Sequence, residues 1–318
     1  MYIIVLTIVG FLLLIKGADL LVDGASSLAR RFNISNLVIG LTVVAFGTST
    51  PELFVNIFAS FQGNTEIAIG NILGSNIFNI LFILGVSSLI YPLSVTKGTV
   101  WKEIPFSLLA AVILGALAND TIFDKAGHSM LTRIDGFVFM AFFVIFMYYI
   151  VSIAKDLGDS PQSNVKQISL VRSFFMIVGG LIGLIFGGIL VQKCAVDIAS
   201  NLGVSQSLIG LTIVAAGTSL PELATSAVAA YKKNSDIAIG NIVGSNIFNI
   251  FYILGISALI KPLPINTQVN TDILVLIAAS MFLFFFMFTG KRRKLDRWEG
   301  VIFILFYISY VIFLIKRG

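Results

Sequence analysis

The sequence predicts an all-α integral membrane protein of ten transmembrane helices, arranged as two inverted five-helix repeats with helices broken near the midplane. Three observations carry that prediction. The first is composition. Of 318 residues, 57% are hydrophobic and 12% charged, with a mean hydropathy of +0.99. A soluble domain carries about 25% charged residues, so this chain cannot cover a water-facing surface. The second is duplication. IGLTVVAFGTSTPEL at 39–53 returns as IGLTIVAAGTSLPEL at 209–223, and GNILGSNIFNI at 70–80 returns as GNIVGSNIFNI at 240–250. The offset is 170 throughout, and 35 of the 57 positions from Leu37 to Leu93 match their copies. An internal repeat of this kind governs the reading of the whole fold. The third is a lone acid in each copy. Glu52 is the only charged side chain between Phe32 and Thr65, and Glu222 the only one between Ile198 and Tyr231.

A helix needs about 20 apolar residues to cross the bilayer. That count predicts spans at 2–22, 36–60, 66–91, 104–118, 134–154, 172–192, 206–230, 236–260, 272–290 and 299–315. The N-terminal run has no basic region ahead of it and no small-residue cleavage site after it, so it reads as a retained span rather than a signal peptide. The first repeat is expected to occupy 1–155, the linker 156–171 and the second repeat 172–318. Five spans per half is an odd number. The second half therefore enters the membrane from the opposite side, which makes the repeat inverted about an axis in the membrane plane. Counting Lys and Arg, the connections 1–2, 3–4, 5–6, 7–8 and 9–10 hold 14 and the other side six. The positive side is normally cytoplasmic, which predicts a plasma-membrane protein with both termini outside.

The expected site follows from the lone acids. A charge at bilayer depth costs about 2.5–3.5 kcal/mol on insertion scales, so each glutamate needs a partner and marks function. Ala45, Thr48, Ser49 and Glu52 are spaced i, i+3, i+4, i+7 on one helix face, and Ala215, Thr218, Ser219 and Glu222 repeat the pattern. Pro51 has no N–H to continue the helix ladder, and Gly47 is expected to let the backbone unwind there. Hydroxyls, a carboxylate and freed carbonyls are hard oxygen ligands, suited to Na⁺ or Ca²⁺. The third span adds Asn71, Ser75 and Asn79 at i, i+4, i+8, and the eighth adds Asn241, Ser245 and Asn249. Gly70, Gly74 and Gly85 would let the third span approach its neighbour closely. Two glutamates sum to −2, which one Ca²⁺ or two Na⁺ neutralise. No Lys or Arg lies nearby to hold an anion.

Blander readings stand beside these. The glutamates could form structural ion pairs, but the only cations inside apolar runs, Lys16 and Lys193, sit near helix ends from which they can snorkel. Lys16 also has Asp19 as a local partner. Thr48, Ser49 and their copies could bond back to the preceding turn. Asn76 and Asn246 lie off the expected ligand face and read as packing residues. Asn71 and Asn241 could be either. Cys194 and His128, each the only one of its kind, support neither a disulfide nor a histidine or thiolate metal cluster, and read as bystanders. The basic residues sit in short connections and report topology rather than a nucleic-acid surface. The 291–297 cluster is expected to meet anionic lipid heads.

The pair GTSTPE and GTSLPE, each followed by GNIxGSNIFNI, resembles the alpha repeats of the sodium/calcium exchanger family, here 39–80 and 209–250. The likeness covers nearly the whole chain. It implies a secondary antiporter, not an enzyme, working by alternating access. Na⁺ and Ca²⁺ would be cargo, with the bilayer as surroundings, no cofactor, no nucleic acid and no protein partner. It implies Glu52 and Glu222 as central ligands. Thr48, Ser49, Thr218, Ser219, Ser75, Asn79, Ser245 and Asn249, with the Ala45 and Ala215 carbonyls, would complete the shell. Spans 1 and 6 would move against spans 2, 3, 7 and 8. Several relatives carry Asp where this chain has Asn249, which makes this site more symmetric. H⁺/Ca²⁺ exchange, K⁺-dependent exchange and a passive cation channel remain the other readings.

Overall fold

The computed structural model describes residues 2–123, 125, 127–156, 168–201, 215–290 and 293–317. Eight helices among them are long and apolar enough to cross a membrane, and a bent pair, Asn36–Thr48 with Thr50–Gln62, makes a ninth. Of the expected seventh span, 206–214 lie outside the described residues. The rest is Ala215–Thr218 followed by Leu220–Tyr231. The expected linker is also largely outside, since 157–167 are not described.

Spans 1 and 6 are longer than the apolar count suggested, at Tyr2–Arg31 and Leu170–Asn201. The apolar window closes at the first polar residues, but the helix does not. Beyond residue 17 the first span buries Ala18, Leu21, Val22, Ala25 and Ala29, a spacing of three and four that gives it a packed stripe. At 1.5 Å per residue, about 45 Å of helix exceeds a hydrocarbon core of about 30 Å. The two helices run antiparallel in contact, with Gly10 against Gly187, Gly17 against Gly180 and Gly24 against Ile177. A Cβ on Gly17 would lie 2.7 Å from the Gly180 carbonyl oxygen and 2.8 Å from the Leu184 nitrogen. Those are backbone atoms that cannot move aside, which is why small residues line such seams.

Spans 3 (Thr65–Ile90) and 8 (Ser235–Ile260) form the buried centre. The other spans put broad faces toward lipid, where Phe54, Phe137, Phe174 and Phe285 lie exposed. Two short antiparallel pairings, which the apolar count does not reveal, staple the halves together. Leu93 and Ser94 pair with Leu295 and Lys294, and 129–131 pair with 263–265. Spans 5 and 10 each open on a reciprocal or one-sided cap. Asp135 accepts from the Thr132 N–H at 2.7 Å while its own N–H meets Thr132 Oγ1, and Glu299 accepts from the Asp296 N–H at 2.7 Å.

Candidate cation site

Span 2 breaks where the sequence places its glycine and proline. The helix of Ala45–Thr48 stops at Ser49, whose ψ of 7° leaves the helical range, and a new helix starts at Thr50 with Pro51 in its first turn. The two segments are bent by 47°. Proline is accommodated in a first turn because the N–H it lacks would be unpaired there anyway. Ser219 repeats the break with φ −88° and ψ 8°, ahead of Pro221. Gly47 itself stays helical, contrary to the unwinding expected of it. Its place is set by contact, since a Cβ there would strike the Leu181 side chain of span 6.

Spans 3 and 8 carry a second irregularity. Each switches to π-helical winding, at Phe78–Ile83 and Phe248–Leu254, so Asn79 and Asn249 sit in the first turn of a widened coil. Such bulges shift the phase of a helix face and recur at functional sites.

The four spans bring the glutamates and their neighbours into one buried cluster, wired across the repeats. Ser49 donates to Glu222 Oε1 at 3.0 Å, and Ser219 donates to Glu52 Oε1 at 3.1 Å. Ser75 and Ser245 each donate to the glutamate of their own half at 3.4 Å. Thr48 donates to Asn241 Oδ1 at 3.0 Å and Thr218 to Asn71 Oδ1 at 3.2 Å. Asn71 and Asn241 therefore hold the threonine of the opposite copy. Thr48 also lies 3.3 Å from the Ala45 carbonyl, so the bond back to the preceding turn is present as well. A hydroxyl that gives its proton away leaves lone pairs for a cation.

The Ala45 carbonyl is not left open. It accepts the Ser49 N–H at 3.0 Å and lies 3.5 Å from Ser245 Oγ. Ala215 opens the segment Ala215–Thr218, and the chain before it is not described.

A chain of four amides, in the order Asn249, Asn76, Asn246 and Asn79, adjoins the cluster. Asn76 Nδ2 donates to the Asn246 carbonyl at 3.2 Å and Asn246 Nδ2 to the Asn76 carbonyl at 3.5 Å. Asn249 Nδ2 donates to Asn76 Oδ1 at 2.9 Å, and Asn79 Nδ2 to Asn246 Oδ1 at 3.0 Å. Asn76 and Asn246, off the expected face, thus stand at the pseudo-two-fold centre. The sequence signal that finds them is the spacing SNxxN present in both copies.

Glu52, Glu222, Asn79 and Asn249 are at most 1% exposed. One oxygen on each, Glu52 Oε2, Glu222 Oε2, Asn79 Oδ1 and Asn249 Oδ1, has no hydrogen-bond donor among the described residues. Unmet buried acceptors are costly, and all four have the chemistry of cation ligands. No ion pair among the described residues involves either glutamate. Asp19, expected to serve Lys16, instead pairs with Lys232 at 2.6 Å, as does Asp23. That correction is tertiary in origin, because Lys232 follows span 7 and meets span 1 only in the folded protein.

A family model described as sodium/calcium exchanger protein matches residues 2–152 and 172–316. The chain belongs to that family. Among the members it resembles, the putative antiporter CaxA of Alkalimonas amylolytica is 41% identical over 315 residues, 96% of each chain. The sodium/calcium exchanger MaX1 of Methanosarcina acetivorans is 33% identical over 341 residues, 96% of this chain and 97% of its own. Solved structures of the sodium-calcium exchanger NCX_Mj, one of them soaked with Na⁺ and Sr²⁺, superpose with a TM-score of 0.83 at 35% identity over 98% of both chains. As a member of the exchanger family the chain is a multi-pass membrane antiporter rather than an enzyme, and the ten-helix inverted repeat expected from its sequence fits that family.

Proposed function

We propose that this exchanger-family protein trades Na⁺ for Ca²⁺ by alternating access at the buried cluster between Glu52 and Glu222. The observation that carries this reading is the set of four unmet acceptors, two carboxylate and two amide oxygens, one of each kind from either repeat. Thr48, Ser49, Ser75, Thr218, Ser219 and Ser245 add hydroxyl lone pairs, and the Ala45 and Ala215 carbonyls complete the shell, that of Ala45 once the ion displaces its present bonds.

The arithmetic of charge supports exchange. Two carboxylates are neutralised by one Ca²⁺ or by two Na⁺, and a loaded site without net charge crosses an apolar barrier far more readily than an empty one. Both cargoes satisfy the same oxygens, so they compete, and occupancy by one excludes the other. We place the protein in the plasma membrane with both termini outside, on the excess of Lys and Arg in the odd-numbered connections. Turnover that moves net charge then feels about 2.3 kcal/mol per charge per 100 mV.

The test is radiolabelled Ca²⁺ uptake into proteoliposomes loaded with Na⁺ and diluted into K⁺ or Na⁺ medium, for the wild type and Glu52→Gln. The expected result is uptake that requires the outward Na⁺ gradient and is absent in the variant. Uptake that follows a pH gradient instead would make the coupling ion H⁺. Uptake without any counter-gradient would make the protein a channel.

A further inference from the structure

We propose that Asn76 and Asn246 are positioning residues that decide which end of the Asn79 and Asn249 amides faces the cation, each acting on the opposite repeat. The proposal rests on the ligand reading above. An amide side chain is two-faced: its oxygen attracts a cation and its NH₂ repels one, and the two ends have nearly the same shape. A ligating asparagine therefore needs something to hold its orientation.

The amide chain supplies it through a partner that cannot be reversed. The backbone carbonyl of Asn246 can only accept, so the group facing it at 3.2 Å is the Nδ2 of Asn76. That leaves Asn76 Oδ1 pointing the other way, where it can only accept. The Asn249 group 2.9 Å from it must then be Nδ2. Asn249 Oδ1, at the other end of that amide, is directed away from Asn76 and has no donor among the described residues. The same sequence of constraints runs from the Asn76 carbonyl through Asn246 to Asn79, at 3.5 Å and 3.0 Å. All four side chains are at most 2% exposed, so water does not compete for these bonds.

The wiring is crosswise. Asn76 sets Asn249, 173 positions away, and not Asn79, three positions along its own helix. A residue that merely packed the helix would have no such preference.

The experiment is a double-mutant cycle on Na⁺-driven Ca²⁺ uptake in proteoliposomes, with the purified variants checked by gel filtration. Asn76→Ala and Asn249→Ala are each expected to raise the Ca²⁺ KM about 10- to 100-fold, the usual loss when the partner that orients a metal ligand is removed, with little change in kcat. The double variant should match Asn249→Ala alone, because with the ligand gone its orientation no longer matters. Asn76→Ala combined with Asn79→Ala should instead multiply the two losses. Asn246→Ala with Asn79→Ala repeats the cycle in the other half, so a variant that fails to fold on one side leaves the test standing on the other. If Asn76→Ala costs as much in the Asn249→Ala background as in the wild type, the positioning role is overturned while the ligand reading survives. If Asn79→Ala and Asn249→Ala leave KM unchanged, the ligand reading itself falls, and the proposal with it.

Discussion

Spans 2 and 7 carry the same motif and differ in almost everything beyond it. At the break they mirror each other. Ser49 reaches Glu222 and Ser219 reaches Glu52 at distances that agree to 0.1 Å. Past the glutamate they part. Span 2 continues through Phe54, Asn56, Phe58 and Ser60, with the phenylalanines exposed and the polar pair fully buried. Span 7 has Ala224, Ser226, Val228 and Ala230 at the same positions, and span 1 packs along it. Its end is fastened by Lys232, which meets Asp19 and Asp23 at 2.6 Å, where span 2 has Gln62. The difference teaches that two demands act on one repeat. Under the proposed function, a cation shared by two carboxylates is served best by equivalent oxygens from the two copies, and at the centre the copies keep them alike. Beyond the centre each copy answers to its own neighbours, Phe54 and Phe58 of span 2 lying exposed while span 7 packs against span 1.

The strongest way to break this comparison is at its centre. Glu52→Gln and Glu222→Gln should each reduce Na⁺-driven Ca²⁺ uptake to the level of empty vesicles, because either leaves a single charge against a divalent ion. A variant that kept near-normal uptake at one glutamate only would end the claim of equivalence. Next in size is the seam that joins span 1 to span 6. Gly17→Ala would set a methyl group 2.7 Å from a carbonyl oxygen, and loss of monodisperse protein on gel filtration is expected. Gly179→Ala, one residue from the seam with nothing within 4 Å, should behave as the wild type.

Ser49→Ala and Ser219→Ala sharpen the symmetry quantitatively. Each removes a hydroxyl that bonds a carboxylate, worth about 1.5 kcal/mol or about tenfold in Ca²⁺ affinity, and the two titrations should agree within about twofold. The smallest effect is expected at the flank. The Lys232 pair is partly exposed, which limits it to about 0.5–1 kcal/mol. Lys232→Gln should lower the thermal midpoint of the purified protein by about 2 °C, whereas Gln62→Ala should leave it unchanged.

Much of this was legible in the chain. The breaks at Ser49 and Ser219 lie where Gly, Ser and Pro crowd together, and the acids announce themselves by being alone in apolar runs. Local chemistry decides both, so local sequence reveals them. Other features were hidden because they depend on a second segment. Gly47 reads as a place to unwind, yet it is helical and kept small by Leu181. Asn76 falls off the expected ligand face and reads as a packing residue, because its partners Asn246 and Asn249 belong to the other repeat. Asp19 has Lys16 nearby in sequence, but Lys232 in space.

By itself the sequence determined the membrane setting and the inverted repeat, and it marked Glu52 and Glu222 as lone acids in apolar runs, because hydropathy, an internal duplication and an isolated charge are all read along the chain alone. Only the tertiary structure decided how the copies interlock: a serine of one half on the glutamate of the other, four asparagines bonded in a chain across the halves, and span 1 pinned along span 7. Hydrogen bonds and close packing act over about 3–4 Å, and which groups come within that distance across 170 positions is settled by folding alone.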